Sequence, residues 1–165
     1  MKFEVKFTSA RPYLAAFTIL RRGNLIAMVL RKNTGWMDGH YGLPAGKIEW
    51  GETLLGGAVR ETLEEAGVVV QPPNIKLVHT AHRHGEDKEL FMDWVDLYFE
   101  AATWEGEPHN AEPEKSEALE WLDLNKMPDN IVPSQRDALI AVAEGLNYSE
   151  FGWPKRSEYI DRSPQ

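Results

Sequence analysis

Two rhythms of apolar and polar residues alternate along this chain. Phe3, Val5 and Phe7 alternate with charged residues from Met1 to Phe7, the pattern of a half-exposed edge strand. Tyr13 to Leu20 and Leu25 to Arg31 are apolar runs flanking Arg21-Arg22-Gly23-Asn24, which predicts two central strands joined by a hairpin turn. Lys32 to Gly42 is glycine-rich and loop-like. The period then lengthens: Leu54, Leu55, Ala58, Val59 and Leu63 recur at three- and four-residue steps, predicting a helix from Thr53 to Ala66 that Gly67 ends. Gly56 and Gly57 inside it predict either a close packing contact or an irregular first turn.

Strand patterning returns at Val68 to Val70 and Ile75 to Thr80, with Pro72-Pro73 forbidding one continuous element. Gly85 to Glu89 reads as a charged turn. From Leu90 to Ala101 both alternation sets are apolar, with Phe91, Val95, Leu97 and Phe99 on one side and Met92, Trp94 and Tyr98 on the other. Such a strand is covered on both faces, so the sheet lies between helices. Ala118 to Leu122 is a short strand, and Ser134 to Glu144 a helix with Ser134 as its N-cap.

At 165 residues the chain is one domain by length. Its net charge of −8 and lack of a basic stripe argue against long nucleic acid as a partner. With no cysteine, disulfides, thiolate catalysis and thiolate zinc sites are excluded. The apolar run from Tyr13 to Leu20 is too short to span a bilayer and lacks the flanks of a signal peptide, so a soluble, cytoplasmic protein is expected.

Chemistry concentrates between Gly46 and Val68. Glu61, Glu64 and Glu65 stand at i, i+3 and i+4, which puts three carboxylates on one helix face. Like charges so placed repel by about 0.2–0.5 kcal/mol per pair, a cost that a hard cation such as Mg²⁺ or Mn²⁺ would offset; the alternative is a solvated acidic face. Gly46, Glu52, Arg60, Glu61, Glu64, Glu65, Gly67 and Val68 fit the spacing G-x5-E-x7-R-E-U-x-E-E-x-G-U, and this segment resembles a Nudix box. Thr62 departs from the usual aliphatic residue, although its methyl group can still pack.

That resemblance implies an α/β/α sandwich with a mixed β-sheet, its catalytic helix following a glycine-rich loop. It places the Nudix domain at residues 1–146 and leaves 147–165 as a C-terminal tail whose Tyr148, Phe151, Trp153 and Tyr159 dock on the domain or on a second subunit. The implied metal ligands are Glu61, Glu64, Glu65 and the carbonyl of Ala45. Trp104-Glu105-Gly106-Glu107-Pro108 resembles a MutT-type loop, in which Glu112 would complete the metal set, with Glu114 or Glu117 as substitutes. Glu61 is the implied general base with Glu112 in reserve; Arg60 orients the glutamates, Glu52 anchors the loop against the helix with a metal-bound water as a further implied role, and Gly46 and Gly67 support the box.

The implied activity is Mg²⁺-dependent hydrolysis of a nucleoside triphosphate to monophosphate and pyrophosphate, with an oxidised purine nucleotide among the candidates. Nucleoside diphosphate sugars or ADP-ribose form the runner-up. A non-catalytic nucleotide sensor is disfavoured because every box carboxylate is present. Candidate substrate contacts are Asn130, in a Met-Pro-Asp-Asn turn before the second helix, Arg31, Trp36, His40, Tyr41 and His82. His79, His82 and His84 suggest zinc, but only the last two share a strand face, so a phosphate or base contact or a polar strand end is preferred.

Overall fold

A computed structural model describes residues 11–85 and 93–153. The expected first strand, the turn after Gly85, Phe91, Met92 and the tail beyond Trp153 lie outside the described residues. The strands are β1 (Tyr13–Arg22), β2 (Leu25–Arg31), β3 (Tyr41–Gly42), β4 (Ala45–Lys47), β5 (Ile75–His84), β6 (Asp93–Ala101), β7 (Ser116–Asp123) and β8 (Tyr148–Phe151). Two helices, α1 (Leu54–Ala66) and α2 (Pro133–Ala143), flank them.

The sheet runs β3-β2-β1-β6-β5-β8, with β4 also on β1 and β7 also on β2. It is mixed, because β1 lies parallel to β6 and β5 parallel to β8 while the other pairings are antiparallel. β1 is the hub. One edge pairs with β6 from Tyr13 to Leu20; the other changes partner, from β4 at Ala15–Phe17 to β2 at Arg21 and Arg22.

Its alternation explains the layers. Ala15, Phe17 and Ile19 face a core shared with Tyr98, Ala138 and Leu139 on the α2 side. Ala16 and Leu20 face Ala58, Ala66, Leu97 and Phe99 on the α1 side. A sheet covered on both faces thus meets the apolar requirement on both alternation sets. Trp94 and Val95 also divide between the two cores as the β6 pattern predicts.

Thr53 caps α1, its hydroxyl accepting from the Gly56 N–H at 3.0 Å, and Gly67 ends it in the left-handed region at φ 68°. The buried stripe differs from the one expected. Gly57, Ala58, Thr62 and Ala66 are buried, whereas Leu54 and Leu63 are exposed. Thr62 fits because its hydroxyl donates to the Ala58 carbonyl at 2.7 Å, leaving the methyl to pack. A Cβ on Gly57 would stand 2.5 Å from Ile48 Cδ1, so of the two helix glycines this one marks the close contact.

Other expectations shift at the ends. Val68 to Val70 forms only a bridge from Val69 to Glu105, with Val68 and Val70 packed in the α1-side core and Val69 exposed. β5 continues past Thr80 to His84 along β6. α2 starts one residue early: Val132 is the N-cap without a side-chain bond, Pro133 takes the first helical position, and Ser134 lies inside the helix.

Gly67→Ala is expected to destabilise the protein by about 1–2 kcal/mol from the left-handed backbone alone. The cost should be larger in fact, since the new Cβ would stand 2.1 Å from His109 Cε1. Urea denaturation of Gly67→Ala and of Gly67→Ala/His109→Ala checks this, the double variant recovering the part due to the ring.

Candidate active site

Arg60 gathers the carboxylates. Its Nε donates to Glu52 Oε2 at 3.1 Å and its Nη2 to Glu52 Oε1 at 2.8 Å; its Nη1 donates to Glu61 Oε1 at 2.6 Å and Glu64 Oε2 at 3.2 Å. Nη2 also reaches the Lys47 carbonyl at 3.1 Å, tying α1 to β4. Glu52 accepts in turn from the Glu49 N–H at 2.7 Å. A planar fork with five donors suits this shared load, where a lysine would not.

Glu65 turns the other way. Its Oε2 accepts from the Ala45 N–H at 3.0 Å, so β4 and the last turns of α1 are locked together. Gly46 makes that approach feasible, because a Cβ there would stand 2.0 Å from Glu61 Oε1. Burial pushes the Glu65 carboxyl up to about 7; the Ala45 N–H opposes the shift, while Glu61 and Glu112 add repulsion. Glu61 is also raised, chiefly by burial, with Arg60 opposing and Glu64 and Glu112 contributing. Glu112 comes from the loop before β7, as expected, and accepts from Lys115 Nζ at 2.8 Å.

Among the described residues, no three carboxylate or imidazole groups already stand as a ready-made metal cage. Arg60 and Lys115 hold Glu61, Glu64 and Glu112 instead. The donor set nevertheless fits a hard divalent cation: all its side-chain donors are oxygen, and the carboxyls of Glu61 and Glu65 are raised partly because neighbouring carboxylates repel them.

Beside β4 lies a cleft of about 450 Å³, lined on one side by Ala45, Gly46 and Lys47 and on the other by Ser134 and Gln135 of α2. Tyr13, Phe17, Trp36 and Trp94 supply aromatic walls, and Arg31 and Arg83 add positive charge to that of Lys47. No acidic side chain among the described residues lines it. Tyr13 and Trp94 stand 4.9 Å apart, with Lys47 Nζ at 4.7 and 5.3 Å from their centroids and Arg83 Cζ at 4.7 Å from that of Trp94. Behind this wall Arg83 pairs with buried Asp96 at 2.6 Å. Burial raises the Asp96 carboxyl and Arg83 opposes the shift.

Of the substrate contacts expected from sequence, Arg31 and Trp36 line the cleft, and Asn130, His40, Tyr41 and His82 are not among its lining residues. Asn130 Nδ2 donates to the Gly39 carbonyl at 2.9 Å, fastening the loop as a turn residue does. Tyr41 donates to Glu120 at 2.9 Å, and His40 Nδ1 lies 3.4 Å from the Asp38 carbonyl. His82 and His84 pack on Trp153 with centroids 4.5 and 4.7 Å apart, while His79 is buried between the Leu146 carbonyl and Ser149 Oγ. Sequence reasoning missed Lys47, Arg83 and Gln135 here. Arg83 alternates with the two histidines on β5, a period-2 signal that could have found it.

The layered fold and the box helix define the class. Residues 11–142 match the model of the NUDIX domain, and the chain belongs to that family. It is 29% identical over 133 residues to the 8-oxo-dGTP diphosphatase of Escherichia coli (strain K12), covering 81% of this chain and 96% of that one. It is 32% identical over 101 residues to the oxidized purine nucleoside triphosphate hydrolase of Danio rerio, covering 59% of this chain and 58%, less than two thirds, of that protein. The crystal structure of a MutT NUDIX hydrolase from Burkholderia pseudomallei superposes with a TM-score of 0.70 at 28% identity, covering 79% of this chain and 97% of that one. No helix among the described residues is long and apolar enough to cross a membrane.

The raised Glu65 carboxyl gives a pH test with a defined sign. With its pKa near 7 in the folded protein against an ordinary 4.5, the folded metal-free state binds the extra proton between these values. This contribution to stability is complete below about pH 4.5 and is lost as the pH rises through about 7, by up to about 3 kcal/mol. Denaturation of metal-free protein across that range should show the decline, and Glu65→Gln should flatten it.

Proposed function

We propose that the chain hydrolyses a diphosphate linkage in a nucleoside triphosphate or related nucleotide, releasing monophosphate and pyrophosphate. The observation that carries this reading is the carboxylate constellation of Glu61, Glu64, Glu65 and Glu112 placed beside a cleft lined by cations and aromatic rings. The names of the relatives, with 8-oxo-dGTP and oxidised purine triphosphates among their substrates, support the choice of a nucleotide.

Glu61, Glu64, Glu65, Glu112 and the carbonyl of Ala45 are the residues assigned to hold Mg²⁺. When bound, the cation would neutralise the diphosphate and acidify water. The chain supplies the rest. Arg60 fixes the directions of Glu52, Glu61 and Glu64 through charge-assisted bonds, so that the carboxylates need little reorganisation. Glu61, largely shielded from solvent and with its pKa raised by burial, is assigned as general base, with Glu112 as the alternative. Arg31 and Lys47 hold anionic oxygens in the cleft, and Trp36, Tyr13 and Trp94 offer faces to a base. Residues 1–146 act as the catalytic unit, with the segment from residue 147 docked on it; the Trp153 Nε1 bond to the His82 carbonyl, 3.0 Å, supports this.

Glu64→Gln or Glu65→Gln should lower turnover at least about a hundredfold without lowering the melting temperature at neutral pH, since each removes one charge from a repelling group. The assay separates pyrophosphate, orthophosphate and monophosphate released from nucleoside triphosphates, oxidised purine nucleotides, ADP-ribose and nucleotide sugars with Mg²⁺. Pyrophosphate from a triphosphate is expected. Monophosphate from ADP-ribose or sugars alone would replace this substrate class, and near-normal turnover in both variants would overturn the site.

A further inference from the structure

At the end next to α2 the cleft offers a ligand a hydrogen-bond donor. Gln135, in the first turn of α2, is only 4% exposed, and its Oε1 accepts from the Leu43 N–H at 2.7 Å. A backbone N–H can only donate, so this contact fixes which end of the carboxamide is oxygen. Nε2 is therefore the end left over, and it has no hydrogen-bond partner among the described residues. Ser134 beside it is 5% exposed, and its hydroxyl likewise has no partner among them. Both residues line the cleft.

Gly42 makes room for the amide, since a Cβ there would stand 3.4 Å from both its nitrogen and its oxygen. Around it, the other nitrogen-bearing side chains of the lining, those of Arg31, Lys47, Arg83, Trp36 and Trp94, can donate but not accept. Among the described lining residues none carries a carboxylate or an asparagine amide, and the hydroxyls of Thr34, Ser134 and Tyr13 can accept as well as donate. The aromatic walls favour a planar ring, and the end wall next to α2 offers that ring a donor.

We propose that Gln135 is the specificity-determining residue of this cleft. It selects a nucleobase that turns a carbonyl oxygen toward α2, such as hypoxanthine, guanine or uracil, over one that turns an exocyclic amino group there, such as adenine or cytosine. An amino group in that place would face Nε2 donor to donor, leaving two buried donors unsatisfied, whereas a carbonyl satisfies one and loses none. The inference rests on the reading of the cleft as a nucleotide site.

The test compares binding of inosine and adenosine monophosphates, whose purine rings differ by a carbonyl in place of an amino group, using calorimetric titration of the metal-free protein. The wild-type protein should bind the inosine nucleotide about tenfold or more tightly. In Gln135→Glu one carboxylate oxygen can still accept from the Leu43 N–H, which protects the fold, while the other faces the cleft as an acceptor. The preference should then vanish or reverse, even if added negative charge weakens both nucleotides together. Equal affinities in the wild type, or a ratio unchanged in Gln135→Glu, would overturn the proposal, the latter leaving Gln135 a merely structural brace. If inosine and adenosine triphosphates are both turned over at equal efficiency and the monophosphates bind equally, this inference falls and the proposed activity stands. If neither nucleotide binds at millimolar concentration and no triphosphate is cleaved, both fall.

Discussion

Repulsion among carboxylates is the constraint on which this structure turns. Glu52, Glu61 and Glu64 converge on one guanidinium, and Glu65 lies buried close enough to Glu61 and Glu112 for its ionisation to be opposed. Such a group survives in a folded chain only where the backbone itself holds the charges in place. The Ala45 N–H to Glu65 and the Lys47 carbonyl to Arg60 supply those holds from one three-residue strand. β4 therefore reads less as an element of the sheet than as the bracket between sheet and helix.

The sheet makes that bracket rigid by giving β1 two jobs. Its first half carries β4 beside the cleft, and its end carries β2. One alternation set of the same strand packs beneath α1 and the other lines the cleft through Tyr13, Ala15 and Phe17. Acidic helix and basic, aromatic cleft are thus built on a single strand, within a protein of net charge −8.

Local chemistry was legible in the sequence wherever spacing alone dictates geometry. The helix and its end at Gly67 follow from residue types, although Thr53, read as its first residue, is its N-cap, and the two-sided apolar pattern of β6 foretold helices on both faces. Gly46 and Gly57 were visible as glycines, but the atoms that require them, Glu61 Oε1 and Ile48 Cδ1, are tertiary neighbours. The same limit applies to the cleft. Gln135 looks like any polar residue of a helix start until Leu43, ninety-two positions away, is seen to hold its oxygen. Asn130 was conspicuous for the opposite reason: a turn asparagine advertises itself locally, and here its amide is spent on Gly39.

The parallel strand β8 has a consequence of another kind. β5 is ten residues long, and its outer edge would otherwise present a row of unpaired backbone groups on which a second chain could zip. β8, itself four residues long, occupies that edge from Thr80 to Arg83. At the other end of the path the terminal strand β3 is only two residues long. β8 thereby withdraws the distal half of β5 from pairing with a second chain, and the recognition that a free edge invites is confined to what remains of it.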